Sequence, residues 1–470
     1  MNTSLETHNM QALTDIRHFC FKYSGWLLIW LFCTIPAVGW VLSSQLIWEL
    51  GQWTAVVSNI GKLFGIVGFM LFAINFVLSV RRRWLEKLFD GMNRVYIAHH
   101  LTGGIAVILL CFHPVFMAIN YINFAMLSSL RIAANFLLPR SIPFDGSYAD
   151  VSQAVALNSG IVALVLLVGL LILTFYVKLP YNVWLFSHRF LGLAFLFAAL
   201  HVLFYDSTLR TTHWLLAYTI LWTVAALFAF MYHSVFGDIW IRREPYQVND
   251  VSLSGDVVNI SLAPLRKRIA FEPGQFVFIR FLWDEDRDHI PHEMHPFSIA
   301  SAPTDNALQI HVKALGDFTS TLKHLTTGTL AEVEGAFGGF VGSRYGNREQ
   351  VWIAGGIGIT PYLSMAHSFN EYSPRTTLIY SVKTRGELLD AKFLSEHLPT
   401  TNPQFSFVPF VADEQGGFLN MAFVSQATNG VENKEIFLCG PPAMMKSLRT
   451  QLKGLNVPGK HIHDEIFAIS

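Results

Sequence analysis

Residues 99–113 read HHLTGGIAVILLCFH. The architecture of the first half of the chain turns on this stretch, an unbroken apolar run with imidazoles at both ends. It lies inside a longer apolar segment, 97–119. A membrane-spanning helix needs about 20 apolar residues, because each residue rises 1.5 Å through roughly 30 Å of hydrocarbon. Five further segments meet that requirement, near 25–43, 61–80, 158–177, 185–205 and 212–234. Pro36 and Gly39 interrupt the first, which is tolerated where neighbouring helices cover the freed backbone groups. Six spans are therefore expected.

Composition agrees with a half-embedded chain. Of 470 residues, 52% are apolar and 14% charged, against roughly 45–50% and 25% in soluble domains. Mean hydropathy is +0.40. These values exclude a disordered chain and argue against a wholly soluble enzyme. The 33 Lys+Arg balance 33 Asp+Glu, so no basic excess supports a nucleic-acid binder. The four cysteines (Cys20, Cys33, Cys111, Cys439) form no disulfide or zinc pattern. The stretch Met1–Tyr23 is polar and lacks the apolar region of a signal peptide.

Basic residues set the expected orientation. Arg81, Arg82, Arg83, Lys87 and Arg94 lie between spans two and three, Lys178 and Arg189 between spans four and five, and Arg242 and Arg243 after span six. These junctions share one side, which is read as cytoplasmic. The opposite loops (44–60, 120–157, 206–211) carry chiefly Arg131, Arg140 and Arg210. An integral multi-pass protein of the plasma (inner) membrane is expected, with its N-terminus and second half inside.

From about 245 the pattern changes. Short alternating runs such as 257–262 and 275–281 are separated by Pro and Gly turns, which reads as an antiparallel β-barrel. From about 349, strands at Gln350–Ala354, Thr377–Val382, Gln404–Phe410 and Glu435–Cys439 alternate with helical segments such as Pro361–Glu371 and Glu387–His397. Such alternation implies a doubly wound α/β sheet. The expected organisation is a segment 1–24, a six-helix transmembrane bundle 25–235, a barrel 242–346 and an α/β domain 347–470.

Ionisable residues inside spans are functional hypotheses by default. Span three holds His99, His100 and His113, and span five holds His188 and His201. A single membrane histidine is more often a packing or proton-relay residue. Four at matched depths on two helices point instead to axial ligands for two stacked haems, since a neutral imidazole supplies a lone pair to iron. At 100° per residue, His99 and His113, fourteen apart, return to within about 40° of one face, whereas His100 and His113 diverge by about 140°. His99 is thus preferred as the inner ligand, with His100 the alternative. His188 and His201 are thirteen apart, so a bend near Gly192 or a bulge is needed to bring them to one face. His18, His213 and His233 stand at span ends and read as interfacial.

The barrel region carries Pro273-Gly274-Gln275-Phe276 and His295-Pro296-Phe297-Ser298. Ser298 offers a hydroxyl to a flavin ring, and Phe297 offers a packing surface. In the run from His311 to Thr319, Lys313 is a candidate to neutralise a pyrophosphate, and Gly316 permits close backbone approach. The spacing His289-x-x-His292-x-x-His295 also matches a metal pattern, but charged loop neighbours and the lack of a cysteine favour a loop. Strand 351–354 runs into Gly355-Gly356-Ile357-Gly358-Ile359-Thr360-Pro361, with Thr360 expected as helix N-cap and Pro361 as first helical residue, aiming a helix N-terminus at phosphates. A second strand-to-helix turn, Cys439-Gly440-Pro441-Pro442, ends a neighbouring strand. Ser381, Lys383 and Arg385 follow the second strand, where basic residues favour a 2′-phosphate, hence NADPH over NADH.

Together these motifs resemble the ferric reductase / NADPH oxidase superfamily, whose members join a six-helix haem domain to a ferredoxin-reductase-like FAD and NADPH module. The resemblance runs from about 60 to 467. It implies that His99 and His188 hold the inner haem b and His113 and His201 the outer one. By the same resemblance His295, Pro296, Phe297 and Ser298 line the FAD, with Ser298 where the family usually has Thr. Cys439 is implied to face the nicotinamide, and Phe467 to match the terminal aromatic that shields the flavin. Met117 stands where some oxidases carry an extra histidine. The implied function is a transmembrane oxidoreductase that passes electrons from cytoplasmic NADPH through FAD and two haems to an acceptor on the opposite face, oxygen or ferric iron. The alternative is a membrane channel or transporter with a redox-sensing nucleotide module.

Overall fold

The computed structural model describes residues 2–43, 53–119, 138–140, 147–205, 209, 211–282 and 293–465. Arg131, Arg210, His289, His292 and Phe467 lie outside the described residues. The chain divides into two compact units, one of Met1–Asp90 and Arg94–Ile241, the other of Gly91–Asn93 and Arg242–Ser470.

The first unit is helical. Its main helices are α1 (Asn2–Ser43), α2 (Trp53–Leu78), α3 (Met92–Ile119), α4 (Tyr148–Phe175), α5 (Tyr181–Arg189), α6 (Leu191–Tyr205) and α7 (His213–Phe230). Six stretches are long and apolar enough to cross a membrane: Tyr23–Ser43, Ala55–Leu78, Met92–Ile119, Asp150–Phe175, Val183–Tyr205 and His213–Val235. They match the six expected spans. Helices form here because lipid offers backbone amides no other partner. Helix α4 begins at a capping box, in which the Ser147 hydroxyl accepts from Asp150 N (3.4 Å) and the Asp150 carboxylate accepts from Ser147 N (3.3 Å).

The fifth span is broken between α5 and α6. Phe190 N donates to Ser187 O at 3.0 Å, a tighter i−3 bond. The interruption called for by the thirteen-residue histidine spacing thus falls at Phe190. Gly192 follows, and a Cβ there would stand 2.3 Å from the Phe230 ring, so α6 packs closely on α7. Phe69 and Phe195 stack at 5.2 Å, and Phe76 meets Phe230 edge-on at 5.7 Å. Lipid supplies little hydrophobic drive between helices, so such ring packing holds α2, α6 and α7 together.

The second unit contains two sheets. The first is antiparallel, from β1 (Glu244–Ser254), β2 (Val257–Pro264), β3 (Phe276–Leu282), β4 (His295–Ser298), β5 (Leu308–Lys313) and β6 (Leu330–Phe337), in the order β4-β3-β6-β1-β2-β5. Its edges meet where Ala300 N donates to Gln309 O at 2.8 Å, so the sheet curls into a barrel. Alternate residues Val277, Ile279 and Phe281 fill the interior.

The second sheet is parallel, from β7 (Gln350–Gly355), β8 (Thr376–Val382), β9 (Phe405–Val411), β10 (Glu435–Cys439) and β11 (Ile462–Glu465), in the order β11-β10-β7-β8-β9. Trp352 and Phe437 pack on one face against Tyr362 and Leu363 of α8 (Thr360–His367). Ile353 and Leu438 pack on the other against Val424 of α9 (Met421–Thr428) and Leu448 of α10 (Pro442–Gly454). Both faces are covered, which explains why β7 and β10 are buried throughout. The helix expected over Glu387–His397 is displaced. Asp390 takes a positive φ of 49°, and the helical turns run over 391–401 instead. Between the sheets, Ser364 Oγ of α8 donates to Ser301 O at 2.7 Å.

Ile353 is fully buried at the centre of the parallel sheet. Ile353→Ala should lower the stability of the second unit by about 2–5 kcal/mol through lost burial and a residual cavity, read as a lower denaturation midpoint for the full-length protein.

Candidate functional site

In the first unit the structure brings His113 of α3 and His201 of α6 together, with ring centres 6.1 Å apart. His113 Nδ1 donates to Gly61 O at 2.7 Å, His201 Nδ1 to Ala156 O at 2.9 Å, and His99 Nδ1 to Asn75 O at 3.1 Å. A carbonyl only accepts, so Nδ1 carries the proton in each ring and, in the neutral imidazole, the lone pair is on Nε2. That is the tautomer of a metal-ligating histidine with an ordered outer partner.

His188 differs. Its ring stacks on Trp184 at 5.1 Å, and its buried Nδ1 has no hydrogen-bond partner among the described residues. It lies within electrostatic reach of both His99 and His100. His100 is exposed and His99 half-buried, their rings 5.8 Å apart. Among the described residues, no three His, Cys, Asp or Glu side chains converge as a metal cluster. Sequence reasoning missed Asn75, whose backbone carbonyl accepts from His99 Nδ1 and whose side-chain oxygen lies 3.2 Å from the Thr102 hydroxyl. A lone asparagine within an apolar span was the available signal.

In the barrel, strand alternation sorts the His295–Ser298 motif. Phe297 pairs with Val277 and packs in the barrel core. Pro296 and Ser298 lie on the other face, beside Phe278 and Phe276, their register partners. Phe276, Phe278 and Phe337 form an aromatic group there, with ring centres 5.7–6.1 Å apart. The sequence reading missed these rings, although the alternation of 275–281 contained them. His295 stacks on Phe318 at 3.7 Å, and its Nε2 lies 3.0 Å from a Glu293 carboxylate oxygen. Burial lowers its pKa against the opposing pull of Glu293, so the ring is neutral at pH 7 and Nε2–H donates.

Lys313 Nζ pairs with Asp256 at 3.0 Å. The Thr319 hydroxyl accepts from the Leu315 and Gly316 amides, both at 3.0 Å, and closes the turn. A Cβ on Gly316 would meet nothing within 4 Å, which leaves that backbone open to a ligand.

At the carboxyl ends of β7 and β10, two glycine turns pack against each other. A Cβ on Gly440 would stand 3.0 Å from Gly355 Cα, and one on Gly358 would stand 2.4 Å from Cys439 O. Gly356, at φ +52°, faces open space. The helical path begins earlier than expected. A 3₁₀ turn spans Gly356–Ile359, and Thr360 is the first residue of α8 rather than its cap. Because the strand passes directly into that turn, the Thr360 hydroxyl folds inward and donates to Ile357 O at 2.7 Å. Pro361 follows Thr360 in the first turn of α8, and Pro442 opens α10 directly after Pro441.

Ser381 pairs with Gly355 across β8, and Lys383 lies just beyond that strand. Arg385 forms a two-pronged ion pair with Glu414, at 2.8 and 2.6 Å. Cys439 is fully buried between Ala354 and Glu465 in register. Burial, and secondarily the Glu465 carboxylate, raises its thiol pKa well above the ordinary value. Cys439 therefore stays a neutral thiol rather than a nucleophilic thiolate.

Comparisons with known proteins follow the same division. Residues 64–199 match a ferric reductase like transmembrane component, 245–352 an FAD-binding domain, and 352–450 an oxidoreductase NAD-binding domain. The glycine betaine monooxygenase reductase subunit of Chromohalobacter salexigens is 29% identical over 212 residues, 42% of this chain and 56% of that one. A flavohemoprotein of Halalkalibacterium halodurans is 25% identical over 223 residues, 42% of this chain and 52% of that one. The chain thus spans little more than half the length of these curated relatives. Among solved structures, the Amycolatopsis cytochrome P450 reductase GcoB has 24% identity and a TM-score of 0.42, covering 48% of this chain and 70% of that one. The flavohem-like FAD/NAD-binding domain of Vibrio cholerae nitric oxide dioxygenase has 23% identity and a TM-score of 0.41, covering 48% and 99%.

With its thiol protonated and enclosed, Cys439 should resist iodoacetamide at pH 7 in the folded full-length protein and react once the chain is denatured, as read by mass spectrometry. Labelling of the folded protein would remove the neutral-thiol assignment. The chain joins a transmembrane, an FAD-binding and an NAD-binding domain in the order that characterises the ferric reductase / NADPH oxidase superfamily.

Proposed function

We propose that this chain carries electrons across a membrane, from NADPH through FAD and two b-type haems to a one-electron acceptor on the far side. The observation that carries the reading is the His113–His201 pair. A metal–imidazole bond is about 2 Å long, and the ring centre lies about 1 Å further out, so two imidazoles that shared one metal would have ring centres up to roughly 6 Å apart. The observed separation is 6.1 Å, and both rings have Nδ1 committed to a carbonyl. His99, its Nδ1 likewise committed, and His188 would hold the second haem, with His100 as the alternative to His99.

FAD held here would supply the conversion of hydride-level donation into single electrons, the form that haem iron can accept. The residues of this chain fix where those groups rest. Ser298 presents a hydroxyl beside the Phe276, Phe278 and Phe337 rings, which suits a flat flavin. The packed turns at Gly355–Gly358 and Gly440 bring backbone close to a dinucleotide, with Cys439 as a neutral wall for the nicotinamide. Ser381 and Lys383 stand at the end of β8, where a 2′-phosphate would lie. Basic residues at the span junctions support a cytoplasmic dehydrogenase side. The acceptors that fit are oxygen, reduced to superoxide, and chelated ferric iron.

His113→Ala should abolish acceptor reduction and leave NADPH-driven flavin bleaching intact. Ferrous-chelator colour and superoxide-dismutase-sensitive dye reduction on one sample separate the two acceptors. Unchanged acceptor reduction in His113→Ala would contradict the route. Lys383→Ala should raise the KM for NADPH about tenfold, the loss of one charge-assisted hydrogen bond, and leave that for NADH unchanged.

A further inference from the structure

A helix carbonyl points along the axis towards the residue four positions on and accepts that residue's N–H. It keeps a second lone pair, which an imidazole from a neighbouring helix can use. To reach that oxygen, the ring has to pass over the fourth residue. For His113 the acceptor is Gly61, and four residues on is Gly65. A Cβ on Gly65 would stand 2.9 Å from Nδ1 and 3.1 Å from Cε1 of His113. For His201 the acceptor is Ala156, and four residues on is Gly160. A Cβ on Gly160 would stand 2.6 Å from Nδ1 and 2.8 Å from Cγ of His201.

The same device therefore occurs on two different helices, α2 and α4, one for each member of the pair. His99 supplies the contrast. Its acceptor is Asn75, and four residues on is Ser79, just past the end of α2 at Leu78. There the ladder loosens, and Ser79 N is shared between Asn75 O and Phe76 O, both at 3.2 Å. The frayed turn makes room without a glycine. Two other span glycines serve as controls, since a Cβ on Gly104 or Gly169 would meet nothing within 4 Å, whereas one on Gly68 of α2 would meet Leu110 at 2.9 Å, a close contact with no imidazole.

We propose that Gly65 and Gly160 are positioning residues for the outer histidine pair. Each lacks a Cβ so that an imidazole can seat Nδ1–H on the carbonyl one turn earlier, which fixes the ring's orientation and presents Nε2 to the iron. The inference rests on the haem reading above. A hydrogen bond from Nδ1–H makes the imidazole a stronger donor, which favours the ferric state. An added methyl that displaces the ring should weaken that donation.

The test is a redox titration of the full-length protein followed by absorbance, with low-temperature electron paramagnetic resonance of the oxidised form as a second readout of ring orientation. Gly65→Ala and Gly160→Ala should each move the midpoint of the same single haem upward, or release that haem alone, and alter its resonance. Gly104→Ala and Gly169→Ala should leave both haems as they are. Unchanged midpoints in both Gly65→Ala and Gly160→Ala overturn the proposal. Equal shifts of both haems, or loss of both, also overturn it and assign the glycines to bundle packing. Wild-type protein that binds no haem contradicts the underlying function instead, a result separate from all of these.

Discussion

An imidazole carried into hydrocarbon has to place its N–H, and the rest of the membrane unit depends on how it does so. An unsatisfied polar group there costs several kcal/mol. Three of the four candidate histidines meet that demand with a carbonyl from another helix, Gly61, Ala156 or Asn75. The bond does two things at once. It removes a buried donor, and it leaves the opposite ring nitrogen with the lone pair that iron would take. Helix packing follows from it, because α3 has to lie against α2, and α6 against α4, closely enough for ring and carbonyl to meet. His188 departs from this rule, with a buried Nδ1 lacking a hydrogen bond among the described residues and a ring stacked on Trp184. The two proposed haem sites are therefore unequal in the groups around their ligands.

In the second unit the governing constraint is close backbone approach. The turns after β7 and β10 touch at Gly355 and Gly440, where any side chain would force the strands apart. Two parallel strand ends held this near each other form the crevice in which doubly wound sheets bind dinucleotides. The buried, neutral Cys439 ends β10 immediately before Gly440.

Much of this was legible in the sequence. The six spans follow from the length of apolar runs, and the barrel and parallel sheet from a period of two and from strand–helix alternation. The histidine pairs were visible because charge inside a span is costly and therefore rare. Facing within a strand was harder. From sequence, Phe297 offers a packing surface to a flavin or adenine; the β4 register places it in the barrel core, and the rings beside Ser298 come from β3 and β6. The ion pairs of Lys313 with Asp256 and of Arg385 with Glu414 were hidden for a similar reason. Each joins residues that the fold brings together and that sequence spacing does not. The Thr360 cap failed because a 3₁₀ turn consumed the residues before it. The carbonyl partners of the histidines lie 24 to 52 residues away and have no motif of their own.

The most direct test of the account is the cofactor content of purified full-length protein, taken with its ferric resonance spectrum. The account predicts two haems for each FAD, both low-spin with two imidazole ligands. Protein that carries flavin but no porphyrin, or a single five-coordinate haem, would contradict it.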